Sequence, residues 1–253
     1  MVEEADWVSN YFDRSYLAAS TLAVSAAATE CEVGFLRRHV LSSARQKIVD
    51  ACSGRGRHAL LLAHDGHEVV AIDLHSLALR ELEASMTPSL AIRCIHDDVC
   101  NVGLYVDDEW ADVALCLHNS FGYASTEEAH LDFVAALGAC VRPRGLLVLD
   151  VPNKERIVRN IMDRGWECTE EGTLILGEYL FDDRTQRVVG YEHRVPLVGA
   201  RSSHRLSIRL FSLSELEELL SSAGLEVQGV FGDYNSRSYT DQSERLLVVA
   251  RKH

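Results

Sequence analysis

A short glycine-rich stretch between two carboxylates is the part of this sequence best suited to bind a nucleotide. It reads Asp50-Ala-Cys-Ser-Gly54-Arg-Gly56-Arg-His58, and Asp73 follows nineteen residues after Gly54. Glycines let the backbone approach a ligand at positions where a side chain would collide. A helix that begins directly after them would present unpaired N–H groups and a positive dipole end to a phosphate or a carboxylate. The glycines therefore predict an anion-binding turn, but they do not choose among nucleotides.

The carboxylates narrow that choice. An acid at the end of the second strand of an α/β nucleotide-binding fold hydrogen-bonds the ribose hydroxyls, and Asp73 has the right spacing. Asp50 would face the same crevice, and Asp98 would stand near an adenine unless it only caps a helix or turn. S-adenosylmethionine (SAM) carries a sulfonium and an ammonium that carboxylates attract, whereas they would repel a dinucleotide pyrophosphate. Gly54-x-Gly56-x-x-Ala59 still satisfies the relaxed dinucleotide pattern, so an NAD(P)-dependent oxidoreductase is the alternative enzyme.

Alternating segments are expected to position these residues. Strands are predicted at 47–50, 68–73, 90–95, 112–117, 145–150, 225–231 and 245–250. Helices are predicted at 18–28, 31–41, 57–64, 76–85, 127–137 and 213–223. Strands that alternate with helices predict parallel β-α-β units with right-handed crossovers. We therefore expect an α/β fold with a seven-stranded, mostly parallel sheet and helices on both faces.

Three runs of alternating residues interrupt this pattern. They cover 173–181, 187–195 and 203–210, and they predict antiparallel β-hairpins. We expect an N-terminal helical cap over 1–45 and a SAM-binding domain over 46–253. The hairpins would form a substrate lid inserted at about 160–210.

Composition limits the classes of partner. The net charge of −13 and the lack of a basic stripe argue against nucleic acid. Seven cysteines without a C-x-x-C pair indicate a reduced cytoplasmic chain, and the eleven histidines show no metal-ligand spacing. No apolar run is long enough to span a membrane, and the acidic N-terminus is unlike a secretory signal. We expect a soluble, metal-free monomer or homodimer.

Several segments, in order, resemble the class I SAM-dependent methyltransferases, closest to their small-molecule branch, over roughly residues 11–252. The glycine-rich segment resembles the D-x-x-C-G-x-G-R-H pattern of that branch, with Cys52 where the family usually has glycine. Further resemblances are His96-Asp97-Asp98-Val99, Leu117-His118-Asn119-Ser120-Phe121-Gly122-Tyr123, Arg142-Pro143-Arg144-Gly145 in place of K-P-G-G, Phe231-Gly232-Asp233-Tyr234 and the strand that ends at Lys252. No one segment is decisive, but the ordered set indicates the family.

The resemblance implies a Rossmann-like fold and transfer of the SAM methyl group to an N, O or C nucleophile of a small metabolite. S-adenosylhomocysteine would be the product, and specialised metabolism the setting. A SAM-binding regulatory protein without turnover is the non-enzymatic alternative. The residues expected to contact the cofactor are Tyr11, Tyr16, Asp50, Ala51, Cys52, Ser53, Gly54, Gly56, His58, Asp73, Leu74, Asp97, Asp98, Val99, Leu117 and His118.

The acceptor side is predicted from residues after the fourth strand. Methyl transfer from a sulfonium is an in-line displacement, so the nucleophile must be held opposite the sulfur. His118 and Asn119 stand at the edge where such sheets bind ligands. A neutral imidazole could take the acceptor's proton, so His118 is predicted as a general base or orienting group; the alternative is a histidine tucked against the adenosine or the core. The predicted acceptor contacts are Tyr123, Trp166, Tyr179, Tyr191, His193, Arg209 and Arg237.

Overall fold

The strands and helices are described by a computed structural model that covers residues 7–12, 24–169 and 172–253. The strands are β1 (Lys47–Ala51), β2 (Glu68–Asp73), β3 (Ile92–His96), β4 (Ala111–Cys116), β5 (Val141–Pro152), β6 (Arg164–Cys168), β7 (Leu174–Asp182), β8 (Arg187–Val195), β9 (Ser202–Arg209), β10 (Leu225–Phe231) and β11 (Arg245–Lys252). The helices are α1 (Trp7–Tyr11), α2 (Ala26–His39), α3 (Arg57–His64), α4 (Ser76–Ser85), α5 (Glu127–Cys140), α6 (Lys154–Asn160) and α7 (Leu213–Ser222), with a 3-10 helix at Val99–Leu104.

Seven strands form one sheet in the order β10-β11-β5-β4-β1-β2-β3. Within it, β11 runs antiparallel to both β5 and β10, and the other pairs are parallel. The chain order reverses between β1 and β4, so the carboxyl ends of these two strands open the crevice in which such sheets bind ligands. The predicted mostly parallel, seven-stranded fold is confirmed.

Apolar side chains cover both faces of this sheet. One core joins the strands to α5 and α7, with Leu137 and Leu216 fully buried. The other joins them to α2, α3 and α4, with Leu36, Leu62 and Leu82 fully buried. Strands covered on both faces lose water on both sides, which explains their near-continuous apolar sequences.

Local signals account for where several helices begin. Ser212 and Glu215 form a capping box at α7, in which the Ser212 N–H donates to Glu215 Oε2 at 2.7 Å. The side chain of Asn153 accepts the backbone N–H of Arg156 and so caps α6. This short helix is absent from the predicted elements. The predicted helices 57–64 and 76–85 are confirmed as α3 and α4, whereas part of the predicted helix 18–28 lies outside the described residues.

The predicted hairpins form a separate four-stranded antiparallel sheet, in the order β6-β7-β8-β9. Its inner face packs against α1, where Trp7 and Tyr11 join Val188 and Leu206 in an apolar cluster. The outer face leaves large side chains in solvent: Trp166 is 73% exposed, Leu180 62% and Tyr191 52%. His193 lies on the same outer face as Tyr191, because alternate residues of a strand share a face.

Gly122 connects the two sheets, and we expect alanine to be poorly tolerated there. Its carbonyl accepts the Arg209 N–H at 2.8 Å, its φ is +109°, and an added Cβ would lie 2.5 Å from the Arg209 carbonyl oxygen. Gly66 is the matched control, since its φ is +94° and an added Cβ would meet nothing within 4 Å. In urea unfolding, Gly66→Ala should cost about 1–2 kcal/mol for the left-handed backbone. Gly122→Ala should cost about 1–3 kcal/mol more for the clash, and equal losses would contradict the contact.

Candidate functional site

Asp50 forms the floor of the crevice at the carboxyl end of β1. It is 2% exposed, and its Oδ2 has no hydrogen-bond partner among the described residues. Burial raises the pKa of this carboxyl to about 6, although the nearby His58 and Arg57 act in the opposite direction. A buried carboxylate with a vacant oxygen is ready to accept a donor from a ligand.

The turn after Asp50 is held by the second acid. Asp73 Oδ2 accepts the Gly54 N–H at 2.7 Å, and its Oδ1 accepts the His75 N–H at 2.7 Å. Burial raises the pKa of Asp73, against the effect of these two hydrogen bonds. Cys52 has φ +57°, the left-handed conformation for which glycine is favoured.

Gly56 is required where the turn enters α3. Its φ is +71°, and a Cβ at this position would lie 2.4 Å from the Cδ1 of Leu82 in α4. The backbone therefore passes closer to the next helix than any side chain would allow. The positive end of α3 is directed from this point toward the crevice.

The first two residues of α3 are tied to α2. Arg57 donates to Thr29 Oγ1 at 3.1 Å and pairs with Glu32, and His58 Nε2 lies 2.7 Å from Glu32 Oε2. Burial acts to raise the pKa of Glu32, but the hydrogen bonds from His58 and Arg57 outweigh it and lower this pKa to about 2. The His58 ring, which is predicted to contact the cofactor, is thus hydrogen-bonded to Glu32 of α2. Arg57 Nη2 is buried without a partner among the described residues.

Asp150 organises the other wall of the crevice. His118 and Asn119 follow β4 with φ +58° and +60°, an unfavourable conformation for two successive non-glycine residues. The His118 N–H donates to Asp150 Oδ2 at 2.8 Å, and the Asn119 N–H donates to the Asp150 carbonyl at 3.0 Å. The same carboxylate accepts the Tyr234 hydroxyl at 2.6 Å and Arg245 Nη1 at 2.9 Å.

Sequence reasoning missed Asp150, Tyr234 and Arg245. One signal was available in the sequence, since Asp150 is an acid at the end of an apolar strand. A carboxylate that is fully buried there must find hydrogen-bond donors or a counter-charge. The identity of those donors could not be read from the chain, since they come from the loop after β4, the loop after β10 and the start of β11.

Buried polar atoms without partners test whether SAM fits this crevice. Within the part of the chain that the structure describes, they include Asp50 Oδ2, Ser53 Oγ, Arg57 Nη2 and His118 Nδ1, all on elements that meet at the β1–β4 switch point. Nearly all buried polar groups in proteins are hydrogen-bonded, so a polar ligand is expected to complete them. The methionine part of SAM carries an ammonium and a carboxylate, which match one acid and one guanidinium. The residues present therefore fit SAM.

The remaining predicted cofactor contacts lie at the rim or elsewhere. Asp98 caps the 3-10 helix through the Cys100 N–H at 2.8 Å, and Asp97 accepts from Asn101 Nδ2 at 2.8 Å. Leu74 is 55% exposed beyond β2. Tyr11 lies instead against the second sheet, where its hydroxyl donates to Glu192 Oε2 at 2.8 Å. Ala51, Val99 and Leu117 are buried, and Tyr16 lies outside the described residues.

The predicted acceptor contacts do not converge on one place. Arg209 is buried in ion pairs with Glu127 and Glu215, and Tyr123 stacks on Trp7 with ring centroids 5.7 Å apart. Tyr179 faces the inside of the second sheet, and the side chain of Arg237 is 81% exposed. Trp166, Tyr191 and His193 lie on the outer face already described.

A cavity of about 380 Å³ lies instead between the loop after β4, α6 and the start of β11. Its lining residues are Asn119, Pro152, Arg156, Ile157, Asn160, Ile161, Glu244 and Arg245. Only Asn119 among them is a predicted site residue. Arg156, Ile157 and Asn160 were missed because α6 itself was not predicted.

The described residues lack two kinds of feature. They contain no group of three or more His, Cys, Asp or Glu residues that could hold a metal ion. They also contain no helix that is both long and apolar enough to cross a membrane.

Residues 48–145, which hold the glycine turn, Asp73 and the end of β4, match a family model described as a methyltransferase domain. These residues form a methyltransferase domain, and the chain is a SAM-dependent methyltransferase. SAM is accordingly the methyl donor of this methyltransferase, and the oxidoreductase and non-enzymatic alternatives are set aside.

Similarity to known methyltransferases extends beyond the matched domain. The glycine/sarcosine N-methyltransferase of Aphanothece halophytica is 22% identical over 214 residues, or 82% of this chain and 76% of that protein. A SAM-dependent methyltransferase from Clostridium acetobutylicum ATCC 824 has a TM-score of 0.78 at 17% identity, over 97% of this chain and 99% of that one. A SAM-bound amino pentose methyltransferase from Micromonospora echinaspora, involved in calicheamicin biosynthesis, has a TM-score of 0.67 at 19% identity, over 96% and 98%.

The Asp150 network predicts a ranking of stabilities. Arg245→Leu should lower the free energy of unfolding by about 3–5 kcal/mol, because it leaves a buried carboxylate without its counter-charge. Tyr234→Phe should cost about 1–3 kcal/mol, because it removes one donor to a charged group and leaves Arg245 in place. Arg251→Leu, on the exposed end of β11, is the control and should stay within about 0.5 kcal/mol. Equal losses in urea unfolding for all three variants would exclude this role for Asp150.

Proposed function

We propose that this methyltransferase transfers the SAM methyl group to a nitrogen of a small-molecule acceptor that binds in the cavity beside Asn119. The observation that carries this proposal is the position of Asn119. It follows His118 at the switch point, and it also lines the 380 Å³ cavity. That volume lies in the range of sites for small ligands. Donor crevice and cavity therefore meet at one residue.

On the donor side, two of the orphaned atoms have a partner of opposite charge in SAM. SAM, when bound, supplies a methyl group activated by its sulfonium. Asp50 accepts the ammonium, and Arg57 Nη2 donates to the carboxylate. Asp73 keeps lone pairs for the ribose hydroxyls, because each oxygen accepts only one backbone N–H. Leu74 offers its exposed apolar side chain to the adenine.

The nature of the nucleophile follows from the weakness of the available base. Burial lowers the pKa of His118 to about 4, and the positive charges of Arg57 and Arg245 act in the same direction. The imidazole is therefore neutral near pH 7 and a poor proton acceptor. An oxygen or carbon acid needs a base, whereas an amine can arrive with a free lone pair. His118 Nδ1 and Asn119 Oδ1 then orient the acceptor and do not deprotonate it.

The related proteins support an amine acceptor. Glycine, sarcosine and amino pentoses, which appear in the names of two of them, all carry an amino group. The calicheamicin enzyme also supports a place in specialised metabolism. All seven cysteines are free, as in proteins of a reducing compartment such as the cytoplasm.

The N-terminal segment and the second sheet act as the roof of this cavity. Ile157 and Ile161 line the cavity and also pack against the apolar cluster of Trp7, Tyr11 and Leu206. Among the described residues, α1 and the sheet's inner face thus meet the acceptor wall, so we assign the lid to residues of the inner face.

The proposal is tested by a screen for S-adenosylhomocysteine release with amines and their matched alcohols. Glycine, sarcosine, β-alanine and aminosugars would be compared with the corresponding hydroxy compounds. Release should occur with one or more amines and not with their hydroxy counterparts. Turnover restricted to the hydroxy compounds would overturn the assignment of nitrogen.

The raised pKa of Asp50 predicts that cofactor binding releases a proton. Its carboxyl, with a pKa near 6, is about half protonated at pH 6, and a bound ammonium should drive the proton off. Calorimetry with S-adenosylhomocysteine in buffers of different ionisation enthalpy should detect this release at pH 6 and little at pH 8. Asp50→Asn should reduce the release and weaken binding, while Asp107→Asn, at an exposed site, should do neither. Unchanged release in Asp50→Asn would rule out this partner.

The Asp50 carboxyl also makes the stability of the unliganded chain depend on pH. Burial raises the folded-state pKa of Asp50 to about 6 from its ordinary value of 3.8. Its contribution to stability is therefore present below about pH 4 and lost as the pH rises through about 6.

His118→Asn tests the orienting role without disturbing the backbone, because asparagine tolerates φ +58° better than most residues. With an amine that the screen identifies, turnover should fall by less than about 10-fold and keep its pH profile between 6 and 9. A loss of about 100-fold or more together with a missing acid limb would instead identify His118 as the base.

A further inference from the structure

Arg156 is the cation of α6 that the fold leaves without a partner. Lys154 pairs with Glu215 at 2.8 Å, and Arg159 pairs with Asp241 at 2.8 Å. The Arg156 side chain makes no hydrogen bond or ion pair with any residue in the described ranges, and it lines the cavity beside Asn119. This happens in an acidic chain with a net charge of −13, in which carboxylates to pair with an arginine are abundant.

The second guanidinium of the cavity differs from it. Arg245 donates to Asp150 and, at 3.3 Å, to Asn119 Oδ1, so its charge is neutralised by a buried acid. The uncompensated positive charge of the lining therefore comes from Arg156. A half-buried guanidinium presents a planar fork of donors that matches a carboxylate.

The position of Arg156 is held rigidly. Asn153, which caps α6, is fully buried, and its Nδ2 donates to the carbonyls of Thr240 at 3.0 Å and Ser243 at 2.8 Å. These bonds fix the first turn of α6 to the loop that leads into β11. A charge on an anchored helix loses less freedom when it binds a ligand than one on a free loop.

Glu244 gives the same lining an opposite charge. Its side chain is exposed, and it forms no ion pair with Arg156 or with any other residue that the structure describes. A cavity with one free cation and one free anion suits a molecule that carries both charges. An amino acid enters in that form near pH 7, with an ammonium and a carboxylate.

We propose that the acceptor is an amine that also carries a carboxylate, and that Arg156 binds this carboxylate while the amine lies against Asn119. The inference rests on the proposed function, since it takes the cavity as the acceptor site. It goes further because it excludes amines that lack a carboxylate, such as an aminosugar without an acid group. Glu244 attracts the protonated amine to the rim, and the amine loses its proton to solvent before the transfer.

The test uses pairs of ligands that differ only at the acid group. The full chain, saturated with S-adenosylhomocysteine, is titrated with glycine, sarcosine, β-alanine and γ-aminobutyrate and with the primary amide of each, and binding is followed by calorimetry. For at least one pair, the carboxylate should bind at least 10-fold more tightly than its amide. Arg156→Gln should abolish this preference, and Arg156→Lys should restore part of it.

Arg159→Gln is the matched control, because it removes a cation from the same helix outside the cavity lining and should leave the preference unchanged. Carboxylates that bind no better than amides, or a preference that survives Arg156→Gln, would overturn the inference. If amines without an acid group are still methylated in that case, the proposed function stands. Only the requirement for a carboxylate on the acceptor is then wrong. If no amine is methylated, the proposed function itself fails.

Discussion

The buried carboxylate of Asp150 is the interaction on which the acceptor half of this methyltransferase depends. It lies fully out of solvent at the carboxyl end of β5, where an ionised group must be compensated. The compensation comes from Arg245, Tyr234 and the His118 N–H. The last of these contacts holds two successive residues in the left-handed region, a strain that the network offsets. The backbone after β4 is therefore held in place before any ligand arrives.

Asp50 and Asp150 end neighbouring regions of the same sheet edge but are used differently. Asp150 is fully satisfied by protein donors, whereas Asp50 keeps an oxygen without a partner and has its pKa raised by burial. Both carboxylates are buried, because side chains cover the two faces of the sheet near them. The difference lies in which loops pass nearby. A satisfied acid shapes the site, and an unsatisfied one is left for the ligand.

The same distinction applies to the cations of the acceptor wall. Arg245 and Arg156 both line the cavity, but Arg245 is part of the Asp150 network and Arg156 has no partner among the residues that the structure describes. The roof adds little charge, because α1 and the inner face of the second sheet meet this wall through Ile157 and Ile161. Most residues that line the cavity are polar or charged, and its apolar lining comes from Pro152, Ile157 and Ile161.

The sequence by itself determined the donor half of the protein. The glycine turn, Asp50, Asp73 and the periodic segments are local patterns, since glycine conformation, helix capping and strand burial depend on nearby residues. The antiparallel second sheet was also predictable, because its runs alternate with period two. Only the tertiary structure decided the acceptor half. Asp150, Arg245 and Arg156 come together from segments far apart in the chain, and α6 is too short for its periodicity to be recognised. Which face of the second sheet turns inward likewise depended on α1, and the structure places Trp166 and Tyr191 on the opposite, exposed face.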